Sequence, residues 1–399
     1  MAQSKVYASL EVGTDKVVFA IAEFLPRGGE IKILALEEVV SSGVQMGEIR
    51  DVQKVKLCIK QALLKAEDKS KVAVKCINVV IAGKGYLSIN QGAKIDSPEA
   101  VAVNAATIKA IDSDASSHRF SKPYQIIHRI NRGYILDGNY SLFPPLKLEG
   151  RELRSSFHIV AYQKKEINNR LLALEELEFD IDQVIFSPIA SAQLLLDNKE
   201  YKKEGALLID IGAGTTDYIL YHQSKIEASG SLPIGGDHIS NDISVFFNCS
   251  FSKAEEIKQN YVDLVELSKM NKVKIKDPSG FSDFEIDAKD LYGVVDARLQ
   301  DIFDYVKESI KDTQLAEIKS GIFLTGGTAL MTGLVSWVEN YMKIEVNKAS
   351  VNKNLSGFND IPWQDPRYSS VIGVLRYIQE QEQNKKNSQK KTGLFKFFT

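Results

Sequence analysis

The stretch of this chain richest in chemistry is Asp210-Ile211-Gly212-Ala213-Gly214-Thr215-Thr216-Asp217. A tight glycine-containing turn lines up successive backbone N–H groups, and such a concavity can wrap an anion. Gly212 and Gly214, flanking Ala213, permit the close backbone approach this requires. Thr215 and Thr216 add hydroxyl donors. Asp210 offers hard oxygen ligands, suited to holding Mg²⁺ through water. The Gly-x-Gly pattern invites a dinucleotide-binding reading. That reading fails, because its fingerprint needs a third glycine and must open a helix. Here Asp217 takes the third position and the following Tyr-Ile-Leu-Tyr-His is strand-like. An ordinary hairpin with glycine at its turn also fits these eight residues.

A second turn follows the same grammar: Glu11-Val12-Gly13-Thr14-Asp15-Lys16. Alone it is common turn chemistry. Paired with the first, it would bring Gly13 and Thr14 to a phosphate chain, with Lys16 as a cation and Glu11 as a second carboxylate near the metal. In Thr325-Gly326-Gly327-Thr328 a buried strand runs into a glycine pair expected to open a helix. A flat ring or ribose can approach such a backbone, with a helix N-terminus near phosphate. A simple strand-to-helix loop fits as well. Gly235-Gly236 end another strand ahead of Asp237 and His238. Glu255 and Lys258 lie three apart on one helical face, as they would in a solvated ion pair.

Regular elements must hold these turns. Alternation and turn residues predict strands over 6–13, 16–24 and 31–40, and again over 76–83 and 182–187. Helical spacing is read over 51–67 with Asp51 as N-cap, over 98–111 with Pro98 at its start, and over 164–178, 187–196, 239–262 and 288–318. Residues 9–23 and 208–222 share an order: acid between apolar residues, glycine, threonine, second strand. This weak repeat points to two related halves.

Composition narrows the classes. At about 150 residues per domain, 399 residues suggest two to three domains. With 44% hydrophobic and 26% charged residues, the chain is not disordered overall. Fifty basic against 52 acidic side chains, a net charge of −2, argue against nucleic acid as a partner. Cys58, Cys76 and Cys249 lack CxxC spacing, and the five histidines form no HExxH, so neither a disulfide framework nor a cysteine-rich zinc site is expected. No signal-peptide pattern opens the chain and no run of about 18 apolar residues occurs. Lys385, Lys386, Lys390, Lys391 and Lys396 form a basic tail without a single acid, on an otherwise acidic body.

The order hairpin, insertion, hairpin, Gly-Gly-Asp-His, Ala-Glu-x-x-Lys, Gly-Gly resembles the actin/hexokinase/heat-shock-chaperone ATPase superfamily. Within it the chain resembles the FtsA family of bacterial cell-division proteins. SLEVGTDK, QVIFSPIASA, LLIDIGAGTTD, SLPIGGDHISNDI, AEEIK and GIFLTGGTALMTGL carry the likeness, which spans nearly the whole chain. Each motif is weakly specific; their order and spacing are specific.

The resemblance implies an α/β, actin-like (ribonuclease H-like) two-domain ATPase fold with a small α/β subdomain inserted in the first domain. The first domain would take 1–85, 166–200 and 359–378, with the insertion at 86–165. The second would take 201–237 and 316–358, with a partner-binding subdomain at 238–315. A flexible linker over 379–391 and an amphipathic membrane-targeting segment over 392–399 would complete it. ATP and Mg²⁺ would lie between the domains, the metal held through water by Asp210 and Glu11, the two residues with tentative catalytic roles. Gly13, Thr14 and Lys16 would line one phosphate loop, and Gly212, Ala213, Gly214, Thr215 and Thr216 the other. Gly235, Gly236, Glu255, Lys258, Gly326, Gly327 and Thr328 would surround ribose and adenine. Many superfamily members carry aspartate where Glu11 stands. No residue reads as a water-activating base, so slow turnover, or nucleotide control of assembly, is expected rather than fast hydrolysis.

In this family the body forms actin-like filaments through the inserted subdomain. It recruits the C-terminal peptide of FtsZ and later division proteins, and works as a peripheral protein on the cytoplasmic face of the cell membrane at the division septum. Leu394, Phe395, Phe397 and Phe398 fall at helical spacing and would enter the lipid surface. This tail is shorter than is usual in the family. Two other readings stand beside this one. A pilus- or secretion-assembly ATPase homologue would bind a membrane-protein peptide in the same place, but relatives of that type generally lack such a tail. A sugar or acetate kinase would need an acceptor pocket with a catalytic aspartate, for which there is no constellation.

Overall fold

In the computed structural model, residues 5–25, 29–175, 177, 179–276, 284–310, 315–348, 355–357, 362 and 364–395 are described, with side chains to residue 383. Two sheets are built on one plan. In the first, strands Lys5–Val12, Lys16–Phe24 and Ile31–Val40 form an antiparallel meander, and Cys76–Ile81 and Asp180–Phe186 add in parallel on the far side of Lys5–Val12. In the second, Ala206–Ile211, Thr216–His222 and Lys225–Leu232 form the meander, and Ile322–Thr325 and Val346–Lys348 add in parallel. Leu355–Gly357 extends the first sheet beside Ile31–Val40. The internal repeat read from the sequence is thus a repeat of topology.

The central strands are apolar runs rather than alternating ones because both faces are covered. Val17 to Ala22 are all fully buried. Helices Ser187–Leu195 and Ser369–Phe395 fill the space between the sheets, sharing one core with Val18 and Ala20 of the first sheet and Leu208 and Ile219 of the second. Their close crossing depends on Gly373, where a Cβ would lie 2.0 Å from the Ala190 carbonyl oxygen.

The segment between the hairpins forms its own four-stranded sheet, in the order Tyr86–Ala102, Glu149–Gln163, Tyr124–Leu136, Asn139–Ser141. One expectation is corrected here. The helix read over 98–111 begins only at Ala105, where the Asn104 side chain accepts from the N–H groups of Ala106 and Thr107. Residues before it continue a strand to Ala102. Pro98 is tolerated because this is an edge strand and the register shifts opposite it, between Gly150 and Glu152. The subdomain docks on strand Lys225–Leu232. Ser88 Oγ donates to Ser229 O, Asn90 Nδ2 to Glu227 O, and buried His158 bonds both Asn90 and Ser229.

A second correction concerns the linker. Residues 379–391 lie within one helix, Ser369–Phe395. Its buried first half supplies the nucleus. The Gln, Glu and Lys residues that follow are good helix formers, and no glycine or proline interrupts them before Gly393. The helix read over 239–262 is two, Gly236–Phe246 and Phe251–Tyr261, the second capped by Ser250.

Candidate functional site

Both chemistry-bearing turns close with the same bond. Gly13 N–H donates to Lys16 O at 2.9 Å, and Gly212 N–H to Thr215 O at 2.9 Å. Glu11 and Asp210 occupy the same place in their hairpins, one residue before the last strand position. The turns meet. A Cβ on Gly214 would lie 2.3 Å from Thr14 Oγ1 and 2.9 Å from Met46 Cα. The loop carrying Met46 and Gly47 is seated across them, with Gly47 N–H donating to Thr14 Oγ1 at 3.0 Å and Arg170 Nη2 donating to Gly47 O at 2.7 Å.

Between the turns lies a cleft of about 430 Å³. That volume is in the range of small-molecule sites. Glu11, Gly13, Thr14, Lys16, Asp210, Gly212, Ala213, Gly214, Thr215, Gly236, Glu255, Lys258, Gly326, Gly327 and Thr328 all line it. Two expected residues do not. Thr216 is the first residue of its strand, and strand alternation turns it from the side Thr215 faces. It is fully buried and its hydroxyl donates to Ile234 O at 2.8 Å. Gly235 packs against the back of the second turn, where a Cβ would lie 2.6 Å from the carbonyl oxygens of Gly212 and Ala213. Leu394 and Phe395 end the last helix, with side chains beyond those described, and Phe397 and Phe398 lie outside the described residues.

The glycine pair departs from expectation. Gly326 has a φ of +87° and lies against Asp210, and Gly327–Leu330 is a short 3-10 turn. The following α-helix starts only at Leu334. A tight turn, not an α-helix N-terminus, therefore faces the cleft, because Gly333 delays the helix. Glu255 and Lys258 are not a solvated pair either. Lys258 Nζ lies 2.7 Å from Glu255 Oε2 and donates to Gly236 O at 3.0 Å, with its side chain 10% exposed. Burial alone would raise the Glu255 carboxyl. The Lys258 ammonium, with bonds from Ser240 and Gln259, holds it below the ordinary range instead.

Several lining residues escaped the sequence reading: Asp217, Ser187, Gly47, Asp237, Arg367 and Ser370. Asp217 stands opposite Asp210 across the second hairpin, so its register was the signal available. Arg367 and Ser370 come from a distant segment with no motif. Ser370 Oγ donates to Glu11 Oε2 at 2.6 Å, and the neighbouring Ser369 bonds Thr325. The last helix thus starts where both halves meet.

Three buried carboxyl groups share this place. Burial raises Glu11 above its ordinary range. Burial, then the charges of Asp217 and Glu11, raise Asp210 well above its own. Burial pushes Asp217 up to about 7, against bonds from Ser231 and Ser187. Lys16 is the cation that offsets Glu11 and Asp210, and it does so incompletely. Such a cluster favours an added cation. No group of three or more His, Cys, Asp or Glu among the described residues is placed to ligate a metal directly. The glycine turns offer N–H groups and hydroxyls to an anion beside it.

Comparison with known proteins bears on the family and the fold. Residues 207–373 match the family described as cell division protein FtsA, and residues 83–161 match the SHS2 domain inserted in FtsA. The cell division protein FtsA of Buchnera aphidicola from Schizaphis graminum is 28% identical over 388 residues, covering 94% of this chain and 91% of that protein. Among solved structures, the PilM–PilN type IV pilus biogenesis complex is similar at a TM-score of 0.66 and 16% identity, covering 94% of this chain and 98% of that one. MreB5 of Spiroplasma citri bound to ADP is similar at a TM-score of 0.53 and 14% identity, covering 95% and 99%. The two structural likenesses show the actin-like fold; the sequence matches carry the family. The chain belongs to the FtsA family of cell-division proteins.

Proposed function

We propose that this cell-division protein binds ATP with Mg²⁺ between its two halves, assembles into filaments, and tethers FtsZ filaments to the cytoplasmic membrane at the division site. One observation carries the nucleotide part: two hairpins with the same closing bond, one from each half, meet over a single cleft lined by buried carboxyl groups. Thr14, Thr215 and the turn N–H groups would hold the phosphates, with Lys16 adding charge. Asp210 and Glu11, with Asp217 behind them, would hold the metal through its water shell. Glu255, Lys258, Gly236 and the Gly326–Thr328 turn would take the nucleoside end. The bound metal would neutralise phosphate charge. The described side chains supply no evident base for fast hydrolysis, and the reading is of a nucleotide-controlled scaffold. Exposed Val245 and Phe246, beside the Asp242–Arg298 ion pair, support a peptide-binding face on the subdomain between 238 and 315.

Calorimetry of the full chain with Mg²⁺–ATP tests the reading; heat of binding that vanishes in Glu11→Ala is expected. Gly214→Ala is a sharper probe. Its new methyl has no room against Thr14 and Met46, so the turns must part and affinity should fall at least about tenfold, or 1.4 kcal/mol. An unchanged affinity in both variants would place the nucleotide elsewhere.

A further inference from the structure

The tip of a small hairpin stands where the two phosphate turns meet, and the proposed chemistry gives it no part. Val44–Gln45 pairs with Glu48–Ile49, and the two residues between them, Met46 and Gly47, have φ values of +48° and +73°. A two-residue hairpin that follows the strand twist takes positive φ at both central positions. Its base belongs to the first half. Ile49 is buried in the core of that half, and the Arg50 and Asp51 N–H groups donate to Gly43 O at 2.7 and 3.0 Å. Its tip reaches both halves. Besides the bond from Gly47 N–H to Thr14, a Cβ on Gly47 would lie 3.0 Å from Thr215 Cγ2 and 3.1 Å from Gly83 Cα. Gly83 N–H in turn donates to Ser231 Oγ of the second half at 2.6 Å.

A buried arginine seats this tip. Arg170 lies on the helix Lys164–Glu175 and is 4% exposed. Its Nη2 donates to Gly47 O at 2.7 Å and to Ala82 O at 3.4 Å, and its Nη1 donates to Glu166 O at 3.1 Å. One planar fork thus joins the hairpin tip, the residue after strand Cys76–Ile81 and the helix itself, which the single ammonium of a lysine could not do. As an ion pair the arrangement is poor. Arg170 Nη1 lies 3.8 Å from Glu166 Oε2, and Glu166 Oε2 and Arg170 Nε have no hydrogen-bond partner. Burying two charges at that separation costs desolvation that their attraction does not repay. The short, charge-assisted bond to Gly47 O is what the guanidinium gains here. Arg170 does not itself line the cleft, whereas Gly47 does.

We propose that the Met46–Gly47 tip is a clasp that sets the spacing of the two phosphate turns, and that Arg170 is the positioning residue that seats it. Thr14 and Thr215, which the tip touches, stand at the phosphate end of the proposed site, so the clasp acts on that end. Two turns from different halves present their N–H and hydroxyl groups to one phosphate chain only when their separation is fixed, and preorganising them spares the ligand that cost. The inference rests on the nucleotide site proposed above and names what holds it in register.

Arg170→Met alone would strand Glu166 as a buried, unpaired charge. The variant to make is therefore the pair Glu166→Gln and Arg170→Met, which removes both charges and keeps both shapes. Calorimetry of the full chain with Mg²⁺–ATP, and with adenosine in competition, reads the two ends of the cleft separately. In the paired variant Mg²⁺–ATP affinity should fall about tenfold, the worth of one charge-assisted hydrogen bond, while adenosine binds as it does to the wild type. Gly47→Ala strains the tip and crowds Thr215 with Arg170 in place; it should show the same selective loss, and it decides the matter alone if the paired variant does not fold. Equal losses for both ligands would mean that Arg170 only supports the fold, and would overturn its positioning role. Unchanged Mg²⁺–ATP affinity would overturn the clasp and leave the nucleotide site standing. A wild-type chain that binds neither ligand would overturn the nucleotide reading itself.

Discussion

Replacing Asp210 by asparagine should raise the melting temperature of the nucleotide-free chain while weakening Mg²⁺–ATP binding by about a hundredfold, near 2.7 kcal/mol. The opposed signs follow from one cause. Burial and the charges of Asp217 and Glu11 oppose ionisation of Asp210. Without a bound cation the folded chain must either hold that charge against burial or take up a proton that the unfolded chain releases, and either costs stability. Asparagine keeps the shape and can still accept from Ser191, which donates to Asp210 Oδ2 at 3.2 Å. Asparagine carries no charge and needs no proton, so the empty fold should gain stability, read as a rise of a few degrees for a chain of this size. The same charge is what a metal ion held through water would be attracted to, so its loss should fall on affinity. Thermal melts with and without Mg²⁺–ATP check both halves. A variant that melts lower without nucleotide, or binds as tightly as wild type, would show that Asp210 is not held for a cation.

Proton linkage gives the same cluster a pH signature. Asp217 moves from an ordinary 3.8 to about 7 on folding. The folded state therefore holds a proton that the unfolded chain releases, and stability falls as pH rises through that window. Full ionisation of Asp217 costs roughly 4 kcal/mol. The melting temperature of the empty chain should decline from about pH 4 to about pH 7, and Mg²⁺–ATP should flatten that decline.

Much of this was legible from the residues because local chemistry and fold agree. Both hairpins announce themselves by glycine and threonine between apolar runs, and Asp51 caps the first helix where its spacing begins, its side chain accepting from Lys54 N–H. What stayed hidden is of two kinds. Thr216 and Gly235 belong to the right motifs but face away, and facing is decided by strand parity and turn packing rather than residue type. Arg367 and Ser370 reach the cleft only because the last helix crosses Ala190 at Gly373, a contact between segments nearly two hundred residues apart that no local pattern records. The inserted subdomain misled for a third reason. Pro98 reads as a helix start, yet an edge strand tolerates proline, and edge position is a property of the assembled sheet. The 379–391 segment erred the other way, since polar composition suggested a linker where uninterrupted helix formers extend a helix already nucleated in the core.

That continuity gives the tail a mechanical meaning, and it leads to the second large effect. Deleting residues 385–399 should abolish co-sedimentation with anionic vesicles, with a fall in bound fraction of at least about a hundredfold. The segment supplies Leu394, Phe395, Phe397 and Phe398, each contributing at most about 1.5–3 kcal/mol on burial in lipid. Its five lysines add about 1 kcal/mol apiece near an anionic surface. The body offers no substitute that spans lipid, since no helix among the described residues is long and apolar enough to cross a membrane. The lysine share is screened by salt, so binding of the full chain should weaken as salt rises and persist in part through the aromatic residues. A short tail binds weakly in single copy, and many tails on one filament bind by avidity. A truncated chain that sediments like the full one would end the tethering proposal.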